Sequence, residues 1–377
     1  MKDLLTLRAE IDEIDEQIVS LYEKRMEVAA GVAEYKINTG KQVFDKERED
    51  QKIETLTKLA SSQFTKHGVK ALFEQIMAMS RKKQYQLLTE HGVVAETGFT
   101  LADEIDNSSV RVVFQGVEGA YSQQAMQEYF GKHCDAYNVD TWKDAMEAIK
   151  NNEADYAVLP IENSSAGIVS ENYDLLVEYD NYIVGEQIIQ IDHVLLGLPE
   201  AELEDINTVY SHPQALMQCS NFLENIHKDW TKKSIKNTAE SALKVKEDAL
   251  KNQAGIASKK TAEIYGLKVL ADAIQDNKHN STRFIIVCGK KVYSKDANNV
   301  SICFEIPHES GSLYHMLSHF IYNNVNMTNI QSRPVADKNW EYRFFVDFEG
   351  KLTDTSVINA LRGLQEETLS LRILGTY

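Results

Sequence analysis

Asn280-Ser281-Thr282-Arg283-Phe284 runs straight into Ile285-Ile286-Val287-Cys288, and the reading of that stretch decides the fold of most of the chain. The apolar run alternates poorly, which predicts a fully buried strand. An amide, a hydroxyl and a guanidinium stand at its mouth, groups that can hold a carboxylate and pass a proton if other polar groups converge there. Five residues alone favour a blander reading, a polar lead-in with Thr282 as a β-former. The surrounding chain reverses that preference.

Upstream, from Val110, short β runs alternate with helical stretches, the pattern of an α/β domain. Strand candidates are Val110–Phe114, Tyr156–Leu159, Val194–Leu198, Thr208–Tyr210, Gly255–Ala257 and Phe284–Cys288. Ligands of open α/β sheets bind at the carboxyl ends of strands. Three polar motifs fall there: Gln115-Gly-Val-Glu-Gly-Ala-Tyr-Ser122, Pro160-Ile-Glu-Asn-Ser-Ser-Ala-Gly167 and Ser211-His-Pro-Gln-Ala-Leu-Met-Gln-Cys219. Each alone reads as a glycine turn, an Asn/Ser turn or a helix cap. All three in one domain with Asn280–Phe284 point to a site. Ser211-His212 is no hydrolase pair, because sequence neighbours rarely point together and no GxSxG elbow is present.

These motifs, with Gly255-Ile-Ala-Ser258, resemble the prephenate dehydratases over residues 110–288. The resemblance implies a two-lobed α/β domain (109–290) like the periplasmic binding proteins, with Thr282 between the lobes. It implies decarboxylation of prephenate coupled to loss of the ring hydroxyl, giving phenylpyruvate. Hydroxide leaves at neutral pH only with a proton, so an acid or relay must reach it. The family's essential hydroxyl matches Thr282, and Glu162, Asn163, Ser211, Gln218 and Arg283 match residues around the substrate.

Beyond a second linker, Lys290–Asn299, the tail reads strand (Val300–Ile306), helix (Leu313–Val325), strand (Met327–Arg333), strand (Tyr342–Phe348), helix (Ser356–Glu367), strand (Leu369–Leu374), one βαββαβ unit. It resembles the ACT domains, ferredoxin-like α+β modules that bind amino acids between paired copies, over residues 299–377. Gly311, Ser312 and Leu313, with Asn326, Gln331, Ser332, Arg333 and Pro334, match the phenylalanine-binding version, which implies phenylalanine as an allosteric effector. Ser312 replaces the family's usual Ala and Gln331 its usual Glu, and the lost carboxylate bears on capture of the ligand ammonium. His315 and His319 stand at i and i+4, but no third ligand is in view, so a solvated helix face is the expectation rather than a metal site.

Upstream of a linker at 91–108, residues 1–90 read as all-helical. Gly40 marks a turn after one long helix, and further helices are expected over Asp45–Ala60 and Val69–Leu88. Leu4, Leu7, Ile11, Ile14, Ile18, Leu21, Val28 and Val32 form a seam for packing along another helix, most easily that of a second copy. Arg25 interrupts the seam, and Lys36 points within roughly 20° of it at ~100° per residue. A charge in a packed seam is costly unless paired, and a bound dianion is the natural partner. Ser80 and Gln84 extend the inward line of Leu72 and Ile76.

Residues 4–88 resemble the all-helical chorismate mutases, through Leu4-Leu5-x-Leu7-Arg8, Arg25, Lys36, Val43-x-Asp45-x-x-Arg48-Glu49 and Leu72-Phe73…Ser80…Gln84. The resemblance implies a Claisen-type rearrangement of chorismate to prephenate, which needs no nucleophile, only a folded substrate and stabilised charge. By the same match Arg8, Arg25 and Arg48 hold carboxylates, and Lys36 and Gln84 donate to the breaking ether. Asp45, Glu49 and Ser80 position the ligand hydroxyl and ring. The family's usual Pro before Val43 is Gln42 here.

A chain of 377 residues with 43% hydrophobic content can build two or three cored domains. Its net charge of −17 argues against a general nucleic-acid binder. Residues 1–90 hold 15 Lys+Arg against 16 Asp+Glu, so the first segment can host a local anion site. No apolar run approaches the ~20 residues of a membrane span. Four scattered cysteines without a CxxC pair fit a reduced, cytoplasmic setting. The expectation is a cofactor-free bifunctional chorismate mutase/prephenate dehydratase, a homodimer or tetramer. Its rivals are an arogenate-preferring dehydratase with a mutase and a non-enzymatic amino-acid sensor.

Overall fold

In the computed structural model, which describes residues 2–93, 96–102, 110–226, 228–335, 338 and 340–377, the first segment is helical as its spacing demands. The Asp3 carboxylate accepts the Leu5 and Thr6 backbone N–H groups and starts α1 (Leu4–Thr39), which Gly40 ends in the left-handed conformation at φ 68°. Asp45 caps α2 (Lys46–Thr57). A Ser62/Thr65 capping box starts α3 (Gln63–Glu90) ahead of the expected Val69, with Gly68 inside the helix. The whole apolar line from Leu4 to Val32 on α1 is exposed in the single chain.

The second segment runs β1 (Thr100–Ala102), β2 (Arg111–Gln115), α4 (Tyr121–Phe130), β3 (Asp135–Val139), α5 (Trp142–Lys150), β4 (Tyr156–Asn163), β5 (Gly167–Ile168), α6 (Ser170–Glu178), β6 (Tyr182–Gln190) and β7 (Val194–Gly197). It continues with β8 (Thr208–Ser211), α7 (Pro213–Gln218), β9 (Thr231–Ser234), α8 (Thr238–Asp248), β10 (Gln253–Ala257), α9 (Lys259–Tyr265), β11 (Lys268–Ala271), β12 (Ser281–Cys288) and β13 (Val292–Ser294). Two sheets result, ordered β6-β12-β4-β2-β3 and β11-β7-β10-β8-β9, each the centre of one lobe. As expected, Phe284–Cys288 is buried throughout, at the heart of the first sheet, antiparallel to both β4 and β6.

Four full strands, β3, β6, β9 and β11, lie outside the expected set. β9 is Thr-Lys-Lys-Ser at a sheet edge, where charge replaces the apolar signal. β6 carries Gly185, and a Cβ there would collide with the Tyr129 ring. Both expected linkers hold a short strand, since Thr100–Ala102 pairs in parallel with Val292–Ser294. The parts of the first linker at 94–95 and 103–109 lie outside the described residues.

The tail forms the expected βαββαβ: β14 (Asn299–Glu305), α10 (Ser312–Tyr322), β15 (Met327–Pro334), β16 (Tyr342–Glu349), α11 (Thr355–Glu367) and β17 (Ser370–Thr376). Its strands order as β15-β16-β14-β17. Met1–Thr97 with Asn298–Ile373 makes one compact unit, and Gly98–Ala297 with Leu374–Tyr377 a second. Within the first, α11 packs on α3.

Candidate active sites

Successive residues of a strand face opposite ways, so β12 divides its polar mouth between two environments. Thr282 and Phe284 border a cavity of about 570 Å³, with Gln115, Asn163, His193, His212, Gln218 and Lys236 among its walls. The Thr282 hydroxyl accepts a hydrogen bond from Asn163 Nδ2 at 2.9 Å. Asn163 Oδ1 accepts the Ser165 and Ala166 backbone N–H groups at 3.0 and 2.9 Å, so its amide cannot turn over without losing them. With its oxygen engaged, Thr282 keeps its own proton for a ligand.

Gln218 extends this network, with Nε2 3.4 Å from Asn163 Oδ1 and Oε1 3.0 Å from His193 Nε2. Burial lowers the His193 pKa, which favours a neutral ring with its proton on Nε2. The Tyr121 hydroxyl donates to the Asp192 carbonyl at 2.8 Å, and burial raises its pKa, so it stays protonated. The turn from Gly116 to Gly119 needs its glycines, at φ 115° and 88°. The Gly119 carbonyl accepts from Thr261 Oγ1 at 3.1 Å, tying the first lobe to the second.

Three residues expected around this ligand are elsewhere. Arg283, on the other face of β12, pairs with Glu186 at 2.9 Å and donates to the Tyr377 hydroxyl at 2.6 Å. Glu162 is its cross-strand neighbour and does not border the cavity. Ser211 is fully buried, its hydroxyl donated to the Ile256 carbonyl at 2.8 Å, a bond that serves packing. Each follows from strand alternation, which the motifs alone did not reveal.

In the helical segment, the Arg25 guanidinium donates to Ser80 Oγ and lies near Glu49. Burial lowers the pKa of Arg25, and that of Lys36 as well, against the opposing pull of nearby carboxylates. Lys36 Nζ donates to the Val43 carbonyl at 2.7 Å, with Glu366, Asp45 and Glu49 close by. The seam cations therefore have acidic neighbours, all of them from outside α1. Gln84 gives one amide proton to the Ser80 carbonyl at 3.2 Å, and its Oε1 is buried with no partner among the described residues. Asp45 is spent partly on capping α2, while Arg48 and Arg8 are exposed.

Two family descriptions match the chain: chorismate mutase type II over residues 7–85 and prephenate dehydratase over residues 112–292. The bifunctional chorismate mutase/prephenate dehydratase of Escherichia coli K12 is 32% identical over 380 residues, covering 99% of this chain and 96% of that protein. The chain belongs to the bifunctional chorismate mutase/prephenate dehydratases. It is an enzyme of phenylalanine biosynthesis with both activities. Arogenate dehydratase 1 of Petunia hybrida is 37% identical over 285 residues, covering 72% of this chain and 67% of its own. A prephenate dehydratase from Arthrobacter aurescens, solved in complex with L-Phe, is 31% identical with a TM-score of 0.67, covering 71% of this chain and 90% of that one.

In the tail of this bifunctional enzyme, Gly311, Ser312 and Leu313 border a shallow cavity at the start of α10. Asn326 donates to Glu349 at 3.0 Å and Gln331 to Asn329 at 3.2 Å; Gln331, Ser332, Arg333 and Pro334 lie on β15, at the edge of the sheet. None of these borders the cavity at Gly311, so one chain does not unite the two halves. His319 corrects the expected solvated face: it is 2% exposed, with Nε2 3.3 Å from Glu367 Oε1. Among the described residues no cluster could hold a metal, and no helix is long and apolar enough to cross a membrane. Sequence reasoning missed His193, Lys236 and Trp142, whose buried indole N–H has no partner among the described residues. His193 carried one usable signal, a histidine immediately before the apolar run Val194–Leu198.

Proposed function

We propose that residues 1–90 carry the mutase site, 109–290 the dehydratase site and 299–377 a phenylalanine sensor. The observation that carries the dehydratase reading is the hydrogen bond from Asn163 to Thr282 beside the cavity. It leaves the threonine proton directed at a leaving hydroxyl. As the ring carboxylate departs as CO2, its bonding electrons move through the ring and expel the hydroxyl, which takes the Thr282 proton and leaves as water, while a solvent proton in the open cavity replaces the one given up by Thr282. Neutral His193, reached through Gln218 and Asn163, fixes the orientation of that network. Lys236 and His212 supply nearby donors for the substrate carboxylates.

In the mutase site Arg25, Lys36 and Arg48 bind the dianion, Gln84 and Lys36 donate to the ether oxygen, and Asp45, Glu49 and Ser80 hold the hydroxyl and ring. Arg8 comes from a second copy. At 1.5 Å per residue it stands ~25 Å along α1 from Arg25, too far for one small ligand. The exposed seam of α1 supports a homodimer. Phenylalanine binds where Gly311–Leu313 of one copy meet Gln331–Pro334 of another.

A second reading, preference for arogenate, is favoured by the identity to a relative of that name. Assaying purified protein with chorismate, prephenate and arogenate separately tests both. The first reading expects turnover of chorismate, and of prephenate with a higher kcat/KM than arogenate. Faster arogenate turnover replaces it by the second, and inert protein contradicts both.

A further inference from the structure

The guanidinium of Arg81 divides itself between two carboxylates from distant parts of the chain. Its Nε and Nη2 donate to Glu367 Oε1 and Oε2 at 2.7 and 3.2 Å, a bidentate fork. Its Nη1 donates to Glu49 Oε2 at 2.5 Å. The Arg81 and Glu367 side chains are 8% and 5% exposed, while Glu49 at 26% remains open to a ligand. The Phe44 ring lies under the guanidinium, 5.0 Å from its carbon to the ring centroid.

The neighbouring carboxylate grips the same region, since Glu366 Oε2 accepts the Phe44 backbone N–H at 2.7 Å and the Tyr85 hydroxyl at 3.1 Å. Two successive acids at the end of α11 thus hold the segment leading into α2, one directly and one through Arg81. We propose that Arg81 is a positioning residue of the mutase site, fixing the Glu49 carboxylate for substrate, and that Glu367 fixes Arg81 in turn.

The physical reason lies in charge as well as geometry. A pocket for a dianion is poorly served by a bare carboxylate on its wall. Arg81 offsets the Glu49 charge and engages one oxygen, leaving the other to accept from the ligand hydroxyl. A buried arginine serving only the fold needs just one carboxylate, and Glu367 already binds it through two nitrogens. The third bond, to the more exposed Glu49, is the one with a functional use. The proposal rests on Glu49 being a mutase-site residue.

Full-length E49Q, R81Q, E367Q and the E49Q/R81Q double variant test it, by steady-state mutase kinetics, basal dehydratase rate and urea unfolding. E49Q and R81Q are each expected to lower mutase kcat/KM by about tenfold or more. R81Q should leave the dehydratase rate unchanged, and in the E49Q background it should cost less than about twofold further. E367Q should lower mutase kcat/KM in the folded fraction, which keeps the test decisive if R81Q does not fold. Wild-type mutase kinetics in E49Q overturn the underlying reading of Glu49. An impaired E49Q beside an unimpaired R81Q or E367Q overturns the positioning role alone. Equal losses from R81Q with and without Glu49 assign Arg81 to the fold and overturn it too.

Discussion

Glu367 shows how one residue can carry both a fold and a pH dependence. Burial alone raises its carboxyl pKa, but the His319 ring and Arg81 more than offset that and hold it down to about 2. An unfolded glutamate titrates near ~4.3. The stabilisation is therefore complete above that value and is lost as the pH falls through the folded pKa near 2. Glu367→Gln leaves Arg81 buried without its main partner and should cost about 3 kcal/mol at pH 7. Urea unfolding should show the gap between wild type and variant shrinking from about pH 4.5 downward. A gap that stays constant to pH 2.5 contradicts this assignment. Little of it was legible in the sequence. His319 and Glu367 are remote in the chain, and a histidine at i+4 from another reads as an ordinary exposed helix face until α11 covers it.

At the scale of elements, α1 is the clearest case of a sequence signal that one chain leaves unanswered. Its Leu/Ile line was legible as a seam, and the helix forms with that seam bare. Arg8 lies beside that line, ~25 Å along the helix from Arg25 and pointing roughly 100° away from it. Arg8→Ala and Arg48→Ala homodimers should each be nearly inactive as mutases. Unfolding and refolding them together should return activity in about a quarter of all sites, because each heterodimer holds one intact and one doubly damaged site. No recovery despite heterodimers being present contradicts the shared site. Strands were less legible than helices. Phe284–Cys288 announced itself by apolarity, whereas Gly185 masked β6 and lysines masked β9. The same alternation separates Thr282, which borders the cavity, from Arg283, which pairs with Glu186 instead.

For the whole molecule, the order of segments was readable but their packing was not. The βαββαβ tail reads as an independent module, yet it forms one compact unit with the mutase helices. Arg362 donates to the Tyr85 carbonyl and Thr89 hydroxyl at 3.1 Å each, and Thr89 donates to Asn359 at 2.6 Å. These partners lie hundreds of residues apart, so no local pattern foretells them. Removing residues 298–377 should abolish the phenylalanine response, expected as a coupling of ~1–3 kcal/mol on the dehydratase. It should also lower the stability and the rate of the mutase. Calorimetry, thermal unfolding and mutase assays of the truncated protein check this, and an unchanged mutase contradicts it. The central claim is that one chain performs both reactions in turn, at separate sites. Its most direct test feeds chorismate to purified Thr282→Ala protein and follows both products. Prephenate should accumulate at the wild-type rate of chorismate loss with no phenylpyruvate formed, and Thr282→Ser should restore part of the second step. Phenylpyruvate at the wild-type rate from the alanine variant, or chorismate left unconsumed, would contradict it.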